Sequence, residues 1–368
     1  MKTTAAILNH ANTELEVTDV DVDDLRPHEV LVRMVGVGIC HTDLGVIAAP
    51  APGQTPIVLG HEGSGVVERI GAGVTLLSVG DPVVLSYAHC GECDHCTADL
   101  PQHCRAFVPL NLVGARTDGS TPLHRDGTPV LGAWFGQSSW AQHAVVAENN
   151  AIRVDDDIPL DILGPLGCGI QTGAGAVLNT LDPEPGSTIA IFAMGSVGLS
   201  ALLAAIVAGC DTIIAVDVSD ARLDTASDLG ATHAINSATT DPVARIQEIT
   251  GGLGVNYSVD CIGFSDVVRA ALECLQTPGV CATVGFQGMP NDVTVDQGHL
   301  LFGRTLVGVV EGDAIPGAFV PRMIELHREG RFPFDRLITT FDFADINTAL
   351  DAVHRGDVTK AVLTFPTP

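Results

Sequence analysis

The spacing of apolar residues changes near residue 165, and this change divides the chain into two differently built parts. Before that point, short apolar runs separated by glycine and proline predict β-strands, of which the clearest lie at 29–35, 65–70 and 81–85. After it, apolar strands alternate with longer helical patterns, a rhythm that predicts βαβ units on a parallel sheet. The expected strands are 188–192, 212–217, 234–236, 257–261 and 280–285, and the expected helices are 197–209 and 221–230.

The C-terminal part predicts a return to the first domain. It contains one amphipathic helix at 320–329 and ends in an apolar strand at 359–365. A chain of 368 residues is long for one core, so two domains are expected. The predicted domains are 1–168 and 169–309, with a return segment at 310–368 that completes the first.

The stretch 189–210 is apolar enough to raise the question of a membrane span. Residues 194–198 interrupt it with glycine and serine and split it into a strand and a helix, so no span is expected. The N-terminus lacks the long apolar core and small-residue cleavage pattern of a signal peptide. A cytoplasmic location is therefore predicted.

The charge of the chain limits its partners. Forty-four acidic residues against 18 basic ones give a formal net charge of −26, and Lys2 and Lys360 are the only lysines. An acidic surface repels phosphate backbones, so neither nucleic acid nor an anionic membrane is an expected partner. An anionic dinucleotide would need cations placed locally, and Arg222 and Lys360 are candidates.

Cys40, His61 and Cys168 form a candidate catalytic zinc site. Zinc binds thiolate and imidazole ligands, and three protein ligands leave the fourth coordination position open for a substrate oxygen. A structural zinc is usually held by closely spaced pairs, whereas these three residues must be brought together by folding.

A second, closed metal site is predicted in a cysteine-rich segment with the spacing Cys-x2-Cys-x2-Cys-x7-Cys. Its members are Cys90, Cys93, Cys96 and Cys104. Disulfides and an iron–sulfur cluster are the alternatives. The missing signal peptide disfavours disulfides, and the charged, polar segment disfavours a cluster. The other cysteines are expected to be inert core residues: Cys210, Cys261, Cys274 and Cys281.

Residues 193–198 (AMGSVG) predict a dinucleotide site, because they join a strand to a helix and resemble the Gly-x-Gly-x-x-Gly pattern with Ala193 at the first glycine. Gly195 lets the backbone approach the pyrophosphate, Gly198 allows close helix–strand packing, and the helix N-terminus attracts phosphate. Asp217 ends the next strand, where a carboxylate can accept the ribose hydroxyls and would repel a 2′-phosphate. This favours NAD over NADP; a solvated strand-end acid is the plainer alternative.

With these motifs the chain resembles the zinc-dependent medium-chain alcohol dehydrogenases along nearly its whole length. In chain order they are GICHTD at 38–43, GHEGSG at 60–65, the four-cysteine segment, GCG at 167–169 and the dinucleotide motif. Residues 135–140 (FGQSSW) are similar to the branch of aryl (benzyl) and allylic alcohol dehydrogenases. The resemblance implies an α/β fold, with a β-rich GroES-like catalytic domain plus a doubly wound Rossmann NAD-binding domain. It also implies two zinc ions per subunit, NAD, and a homodimer, with a tetramer as the alternative.

The resemblance further implies roles at matching positions. Thr42 would take the substrate proton, Asp43 would orient His61 through its second ring nitrogen, and Glu62 would ligate the metal transiently. The expected cofactor contacts are Thr172, Val197 and Val284 at the nicotinamide, Lys360 at the pyrophosphate and Arg222 at the adenosine ribose. The expected substrate-pocket residues are Trp134, Phe135 and Phe286, with ordinary core packing as the alternative.

One position departs from the family. The liver-type branch ends its proton relay on a histidine shortly after the Thr42 position, where this chain has Gly45. Water or His41 would then be the outlet, and a place for His41 against the pyrophosphate is the alternative.

The predicted activity is zinc-dependent, NAD-linked, reversible oxidation of primary aryl or allylic alcohols to aldehydes. The main alternative is a thiol-dependent formaldehyde dehydrogenase that acts on an S-hydroxymethyl adduct, with Arg116 and Arg125 as candidate contacts for the anionic thiol. A polyol dehydrogenase would be expected to have a different ligand set. A non-catalytic relative would be expected to lack some of Cys40, His61 and Cys168.

Overall fold

The computed structural model describes residues 1–366; the last two residues of the predicted return segment, 367 and 368, lie outside the described part. The chain forms two compact units. The first consists of Met1–Cys168, Ile315–Arg322 and 337–366, and the second of Gly169–Ala314 and Met323–Arg336. The predicted boundaries of the functional domains, after 168 and at 310, stay a prediction.

The strands and helices are numbered in chain order. The strands are β1 Lys2–Leu8, β2 Glu16–Val22, β3 Glu29–Gly38, β4 Ile57–Val58, β5 Glu62–Ile70, β6 Pro82–Leu85, β7 Leu123–Arg125, β8 Thr128–Val130, β9 His143–Ala147, β10 Ala151–Arg153, β11 Thr188–Phe192, β12 Thr212–Asp217, β13 His233–Asn236, β14 Val255–Asp260, β15 Leu275–Thr283, β16 Arg304–Gly308, β17 Ile338–Asp342 and β18 Lys360–Thr364. The helices are α1 His41–Ala48, α2 Asp94–Thr97, α3 Phe107–Asn111, α4 Gly169–Gly175, α5 Ser196–Ala208, α6 Asp220–Leu229, α7 Pro242–Ile249, α8 Ser265–Glu273, α9 Gln297–Leu301, α10 Pro316–Arg328 and α11 Ile346–Arg355.

The first unit is built on two sheets. One has the strand order β4-β1-β2-β7-β8, and the other β10-β6-β5-β3-β18-β17 with β9 also pairing β3. In the second sheet the antiparallel register places Gly38 opposite Glu62 and also opposite Val362. This register brings the chain before α1, the start of β5 and the C-terminal strand to one place. The predicted strand at 359–365 is found there as β18.

The second unit is a doubly wound α/β domain. Its six strands are parallel and lie in the order β13-β12-β11-β14-β15-β16, with the reversal of strand order next to β11. Continuous apolar runs such as 189–192 are buried completely or nearly so, because helices cover both faces of a parallel sheet. The predicted fold class is confirmed.

The apolar stretch 189–210 divides as expected into strand β11 and helix α5. Among the described residues, no helix has both the length and the apolar character needed to cross a membrane.

Candidate metal and cofactor sites

Folding brings Cys40, His61 and Cys168 together in the first unit. Their ligand atoms all lie within 4.8 Å of one another. Cys40 precedes α1, and His61 lies between Gly60 and strand β5. Gly60 has a φ of 85°, and a Cβ there would come within 2.3 Å of the Trp140 side chain, so only glycine fits this turn.

The donor set of this cluster fits a zinc ion. The Nε2 atom of His61 is buried and, in the described part of the chain, has no hydrogen-bond partner. A hydrogen bond with Cys168 lowers the pKa of the Cys40 thiol well below its usual range, although burial opposes this. Burial also opposes a positive charge on His61, but the Asp43 carboxylate and Cys40 outweigh it and raise the pKa of the imidazole. The electrostatic environment thus favours a cation bound by two thiolates and a nitrogen.

The Asp43 carboxylate bonds to Nδ1, the second ring nitrogen of His61. Its Oδ1 atom accepts hydrogen bonds from His61 Nδ1 at 2.9 Å, from Trp134 Nε1 at 2.9 Å and from the Gly60 amide at 3.2 Å. Its Oδ2 atom accepts one from the Cys40 amide at 3.3 Å. Both side chains of the Asp43–His61 pair are fully buried. The carboxylate therefore fixes the proton on Nδ1 and leaves Nε2 as the ligand atom.

Lys360 is placed differently from its prediction. Its Nζ atom lies 2.8 Å from each carboxylate oxygen of Glu62 and 3.1 Å from the carbonyl oxygen of Ile39, and the side chain is 2% exposed. These three acceptors use all the donors of an ammonium group. Burial raises the pKa of Glu62, an effect that the charge of Lys360 opposes. The structure therefore assigns Lys360 to Glu62 rather than to a pyrophosphate.

The three predicted pocket residues also differ in their environments. Trp134 is 2% exposed and bonded to Asp43, and Phe135 is 4% exposed and stacks on the His61 ring with centroids 4.3 Å apart. Trp134 thus contacts the carboxylate partner of His61 and Phe135 contacts His61 itself, and the pocket role of both stays a prediction. Phe286 is 66% exposed in the second unit, and its pocket role stays a prediction.

Thr42 and His41 open helix α1. Thr42 Oγ1 lies 3.7 Å from Cys40 Sγ, which places its hydroxyl beside the ligand cluster. His41 is exposed. Gly45 is also exposed, and a Cβ there would meet nothing within 4 Å.

The four cysteines of the second site converge as well. The sulfur atoms of Cys90, Cys93, Cys96 and Cys104 lie within 4.8 Å of one another. Backbone amides donate to these sulfurs, among them the Cys90 amide to Cys104 at 3.3 Å and the Cys93 amide to Cys90 at 3.4 Å. All ten cysteines of the chain are free of disulfide bonds. Four converging sulfurs with amide donors fit a closed zinc site.

Replacing Cys96 with serine is expected to open the segment 90–104 locally, because three remaining thiolates bind zinc more weakly. Proteolytic cleavage within this segment should become at least about tenfold faster, equivalent to ~1.4 kcal/mol of local stability. Peptide mapping by mass spectrometry measures the cleavage. The matched control is Cys210→Ser, a half-buried cysteine outside both clusters. Equal cleavage of the two variants would contradict a structural metal here.

The dinucleotide motif has the predicted form in the second unit. A Cβ on Gly198 would lie 1.9 Å from the carbonyl oxygen of Ala193, whereas one on Gly195 would meet nothing within 4 Å. Gly198 thus serves packing, and the space beside Gly195 suits a bound pyrophosphate at the N-terminus of α5. Ala193 has a φ of 73°, a left-handed conformation that costs a non-glycine residue about 1 kcal/mol.

Asp217 and Arg222 lie beside this motif. Asp217 Oδ2 accepts a hydrogen bond from the Met194 amide at 2.6 Å, and Oδ1 accepts one from the Ser219 amide at 2.9 Å. Arg222 Nη1 is 3.9 Å from Asp217 Oδ2 and its side chain is 40% exposed. The acid therefore anchors the motif and still has lone pairs for a ribose hydroxyl.

The predicted nicotinamide contacts lie near the carboxyl ends of the parallel strands. Thr172 is on α4 and Val197 on α5, and the two helices pack closely because a Cβ on Gly173 would lie 2.0 Å from the Val197 carbonyl oxygen. Val284 follows β15, and its amide donates to the Asp260 carbonyl at 2.9 Å. This edge of the sheet is where doubly wound domains bind dinucleotides.

Replacing Gly195 with alanine is expected to weaken NAD binding at least about tenfold, or ~1.4 kcal/mol, because the methyl group enters the space that a pyrophosphate needs. The fold should be unchanged, since alanine meets no atom there and the residue has a φ of −78°. Isothermal titration measures the affinity and thermal unfolding the stability. Gly317→Ala, at another glycine with open space, is the control. Unchanged NAD affinity in Gly195→Ala would contradict the assignment.

Sequence reasoning missed the roles of Gln137 and Ser138. Gln137 Nε2 donates to the His61 carbonyl at 2.9 Å, and Ser138 Oγ donates to the Val58 carbonyl at 2.6 Å. Both side chains are buried. Three consecutive polar residues between aromatic ones, in FGQSSW, are the signal that indicates buried hydrogen bonding.

Comparison with known proteins agrees with this arrangement. Residues 26–156 match the family model described as the alcohol dehydrogenase GroES-like domain, and residues 196–328 match that of zinc-binding dehydrogenases. A geraniol dehydrogenase from Castellaniella defragrans is 46% identical over 98% of this chain and 97% of its own length.

Two solved structures share the fold over their entire length. An alcohol dehydrogenase zinc-binding domain protein from Burkholderia ambifaria has a TM-score of 0.97 at 45% identity, with full coverage of both chains. The benzyl alcohol dehydrogenase from Acinetobacter calcoaceticus has a TM-score of 0.96 at 42% identity, again with 100% of each chain covered.

Proposed function

The chain belongs to the zinc-dependent medium-chain alcohol dehydrogenases, and from this premise we propose that it catalyses the reversible oxidation of primary allylic or aryl alcohols to aldehydes with NAD. The observation that carries the proposal is the convergence of Cys40, His61 and Cys168. The substrate class is supported by the geraniol and benzyl alcohol dehydrogenases to which the chain is similar over nearly its full length.

The ligand residues define where the chemistry takes place. When bound, zinc supplies a Lewis acid that makes a hydroxyl group more acidic, and NAD supplies the hydride acceptor. Cys40, Cys168 and His61 Nε2 would hold the metal. Asp43 keeps the proton on Nδ1 of His61 and so keeps Nε2 available.

Thr42 is the proposed proton carrier. Its Oγ1 atom lies beside Cys40 Sγ, and a hydroxyl both accepts and donates a proton. Because Gly45 carries no side chain that could take the proton, water would serve as its outlet, and His41 at the exposed start of α1 is a second outlet. Glu62 is held by Lys360, so its predicted transient ligation would require that ion pair to open.

The cofactor and metal content follow from the sites. We propose two zinc ions per subunit, one at each cysteine cluster. The second unit would bind NAD through Gly195 and the N-terminus of α5, with Asp217 and Arg222 at the ribose and Thr172, Val197 and Val284 at the nicotinamide. Ten cysteines without disulfides suit a reducing compartment such as the cytoplasm.

The thiol-dependent formaldehyde dehydrogenase alternative requires a cation for the anionic thiol, and the two candidate arginines already form other contacts. Arg116 forms a paired contact with Glu29 at 2.7 and 2.8 Å, and its side chain is 11% exposed. Arg125 bonds to Glu16 at 2.8 Å and to Asn9 at 3.2 Å. Both arginine side chains bond to neighbouring residues of the first unit, so they are poorly placed to bind an anionic thiol.

The proposal is tested by initial rates with NAD and NADP against geraniol, cinnamyl alcohol, benzyl alcohol and short aliphatic alcohols. Formaldehyde with and without a low-molecular-weight thiol belongs in the same panel. Rapid reduction of NAD by the bulky primary alcohols is expected. Activity confined to formaldehyde plus thiol would overturn the proposed substrate class. A preference for NADP would overturn the proposed cofactor.

We also propose a homodimer formed through strand β16. This strand is one of the two edges of the parallel sheet, and Leu301 and Phe302 just before it are 69% and 72% exposed. Pairing of the β16 strands of two subunits would satisfy the unpaired backbone N–H and C=O groups of this edge and bury these exposed side chains. Light scattering gives the mass, and a monomer would contradict the proposal while a tetramer would require a further interface.

A further inference from the structure

The loop 134–138 (WFGQS) of the first unit has an unusual backbone. Phe135 and Ser138 have φ values of 49° and 46°, and Gly136 between them has 65°. Left-handed conformations are unfavourable for the two residues that carry a Cβ. Such strain persists only where the surroundings hold it, and it often marks a functional constraint.

Buried hydrogen bonds hold this loop. Ser138 Oγ accepts from the Trp134 amide at 2.8 Å and donates to the Val58 carbonyl at 2.6 Å. Gln137 Oε1 accepts from the Gly63 amide at 3.2 Å, and its Nε2 donates to the His61 carbonyl at 2.9 Å. The loop is thus tied to the chain on both sides of His61.

The same loop contacts the imidazole itself. The Phe135 ring stacks on it with an interplanar angle of 19°. Trp134 Nε1 donates to the Asp43 oxygen that also accepts the His61 Nδ1 proton. Three donors, counting the Gly60 amide, therefore converge on one carboxylate oxygen and leave the carboxylate little freedom to rotate.

We propose that the loop 134–138 is a positioning element for His61, and that the indole N–H of Trp134 is the contact through which it fixes the Asp43 carboxylate. The inference rests on the proposed function, because it takes His61 as a ligand of the catalytic zinc. Trp134 then acts through Asp43 on the orientation of Nε2, in the way that partners beyond the ligands tune metal sites. Its aromatic ring alone does not supply this role.

The test is Trp134→Phe, which keeps an aromatic ring and removes the N–H donor. The matched control is Trp140→Phe: this other buried tryptophan packs against Gly60 beside His61, but its Nε1 donates to the Gly38 carbonyl at 3.4 Å and not to Asp43. Zinc-loaded protein is titrated with a competing chelator, and the measured affinity is that of the zinc which the Cys40→Ser variant lacks. The cobalt-substituted protein is examined by its visible absorption, which reports ligand geometry independently of turnover.

We expect Trp134→Phe to lower the zinc affinity of the catalytic site about tenfold and to change the cobalt spectrum, while Trp140→Phe changes neither. Wild-type affinity and spectrum in Trp134→Phe would overturn the inference. Equal losses in both variants would also overturn it, since they would indicate packing rather than the hydrogen bond. Cys40→Ser separates the two proposals: if that variant retains both zinc ions, the proposed metal site itself fails.

Discussion

Replacing Cys40 with serine is expected to lower the rate of alcohol oxidation at least about a thousandfold, corresponding to ~4 kcal/mol in the barrier. Cys40 supplies one of the three donors that converge in the first unit, and its thiol is the one whose pKa is held well below the usual range. A serine hydroxyl does not ionise near neutral pH, so the remaining two donors would hold zinc poorly. Initial rates with a primary alcohol and NAD measure the loss.

The same variant should keep its fold and one zinc ion, because the four-cysteine site is separate. Elemental analysis counts the zinc and circular dichroism monitors the fold. Cys210→Ser is the matched control, since Cys210 is also half-buried but belongs to neither cluster, and burial raises its pKa to about 11. Full activity in Cys40→Ser would show that the catalytic metal is bound elsewhere.

Replacing Lys360 with methionine is expected to destabilise the protein by about 3–5 kcal/mol. The side chain of Lys360 is 2% exposed and that of Glu62 is fully buried, so the substitution removes the ammonium group that balances a carboxylate in the interior. Methionine fills a similar volume, which makes lost packing a small part of the effect. Urea-induced unfolding of the zinc-loaded protein measures the change in the free energy of unfolding.

A second substitution distinguishes lost charge balance from lost packing. In the double variant Glu62→Gln/Lys360→Met the carboxylate charge is also removed, and part of the lost stability should return. A double variant less stable than Lys360→Met, or a single variant within about 1 kcal/mol of the wild type, would contradict the ion-pair account. Survival of full NAD affinity in Lys360→Met would agree with its placement at Glu62 rather than at a pyrophosphate.

Local sequence pattern was sufficient to predict the two kinds of domain and the alternating strands and helices at the start of the second unit. The strands at 188–192 and 212–217 and the helix between them were predictable because apolar runs and glycine turns reflect local backbone preferences and burial. The dinucleotide motif was predictable for the same reason, since its glycines have steric functions within a few residues. Helix α1 was not predicted, because it is short and its glycine weakens the helical pattern.

The sequence by itself determined which donors exist: two thiolates and an imidazole for one metal, four thiolates for another, and a glycine turn with an acid after the next strand for a dinucleotide. Only the tertiary structure decided which other residues contact these donors and their neighbours. Lys360 and Glu62 are 298 residues apart and meet because β18 and β5 both pair with β3 in a fixed register. Trp134 reaches Asp43 across 91 residues through a strained loop. Such partners depend on long-range strand pairing and buried hydrogen bonds, which no local pattern of residues specifies.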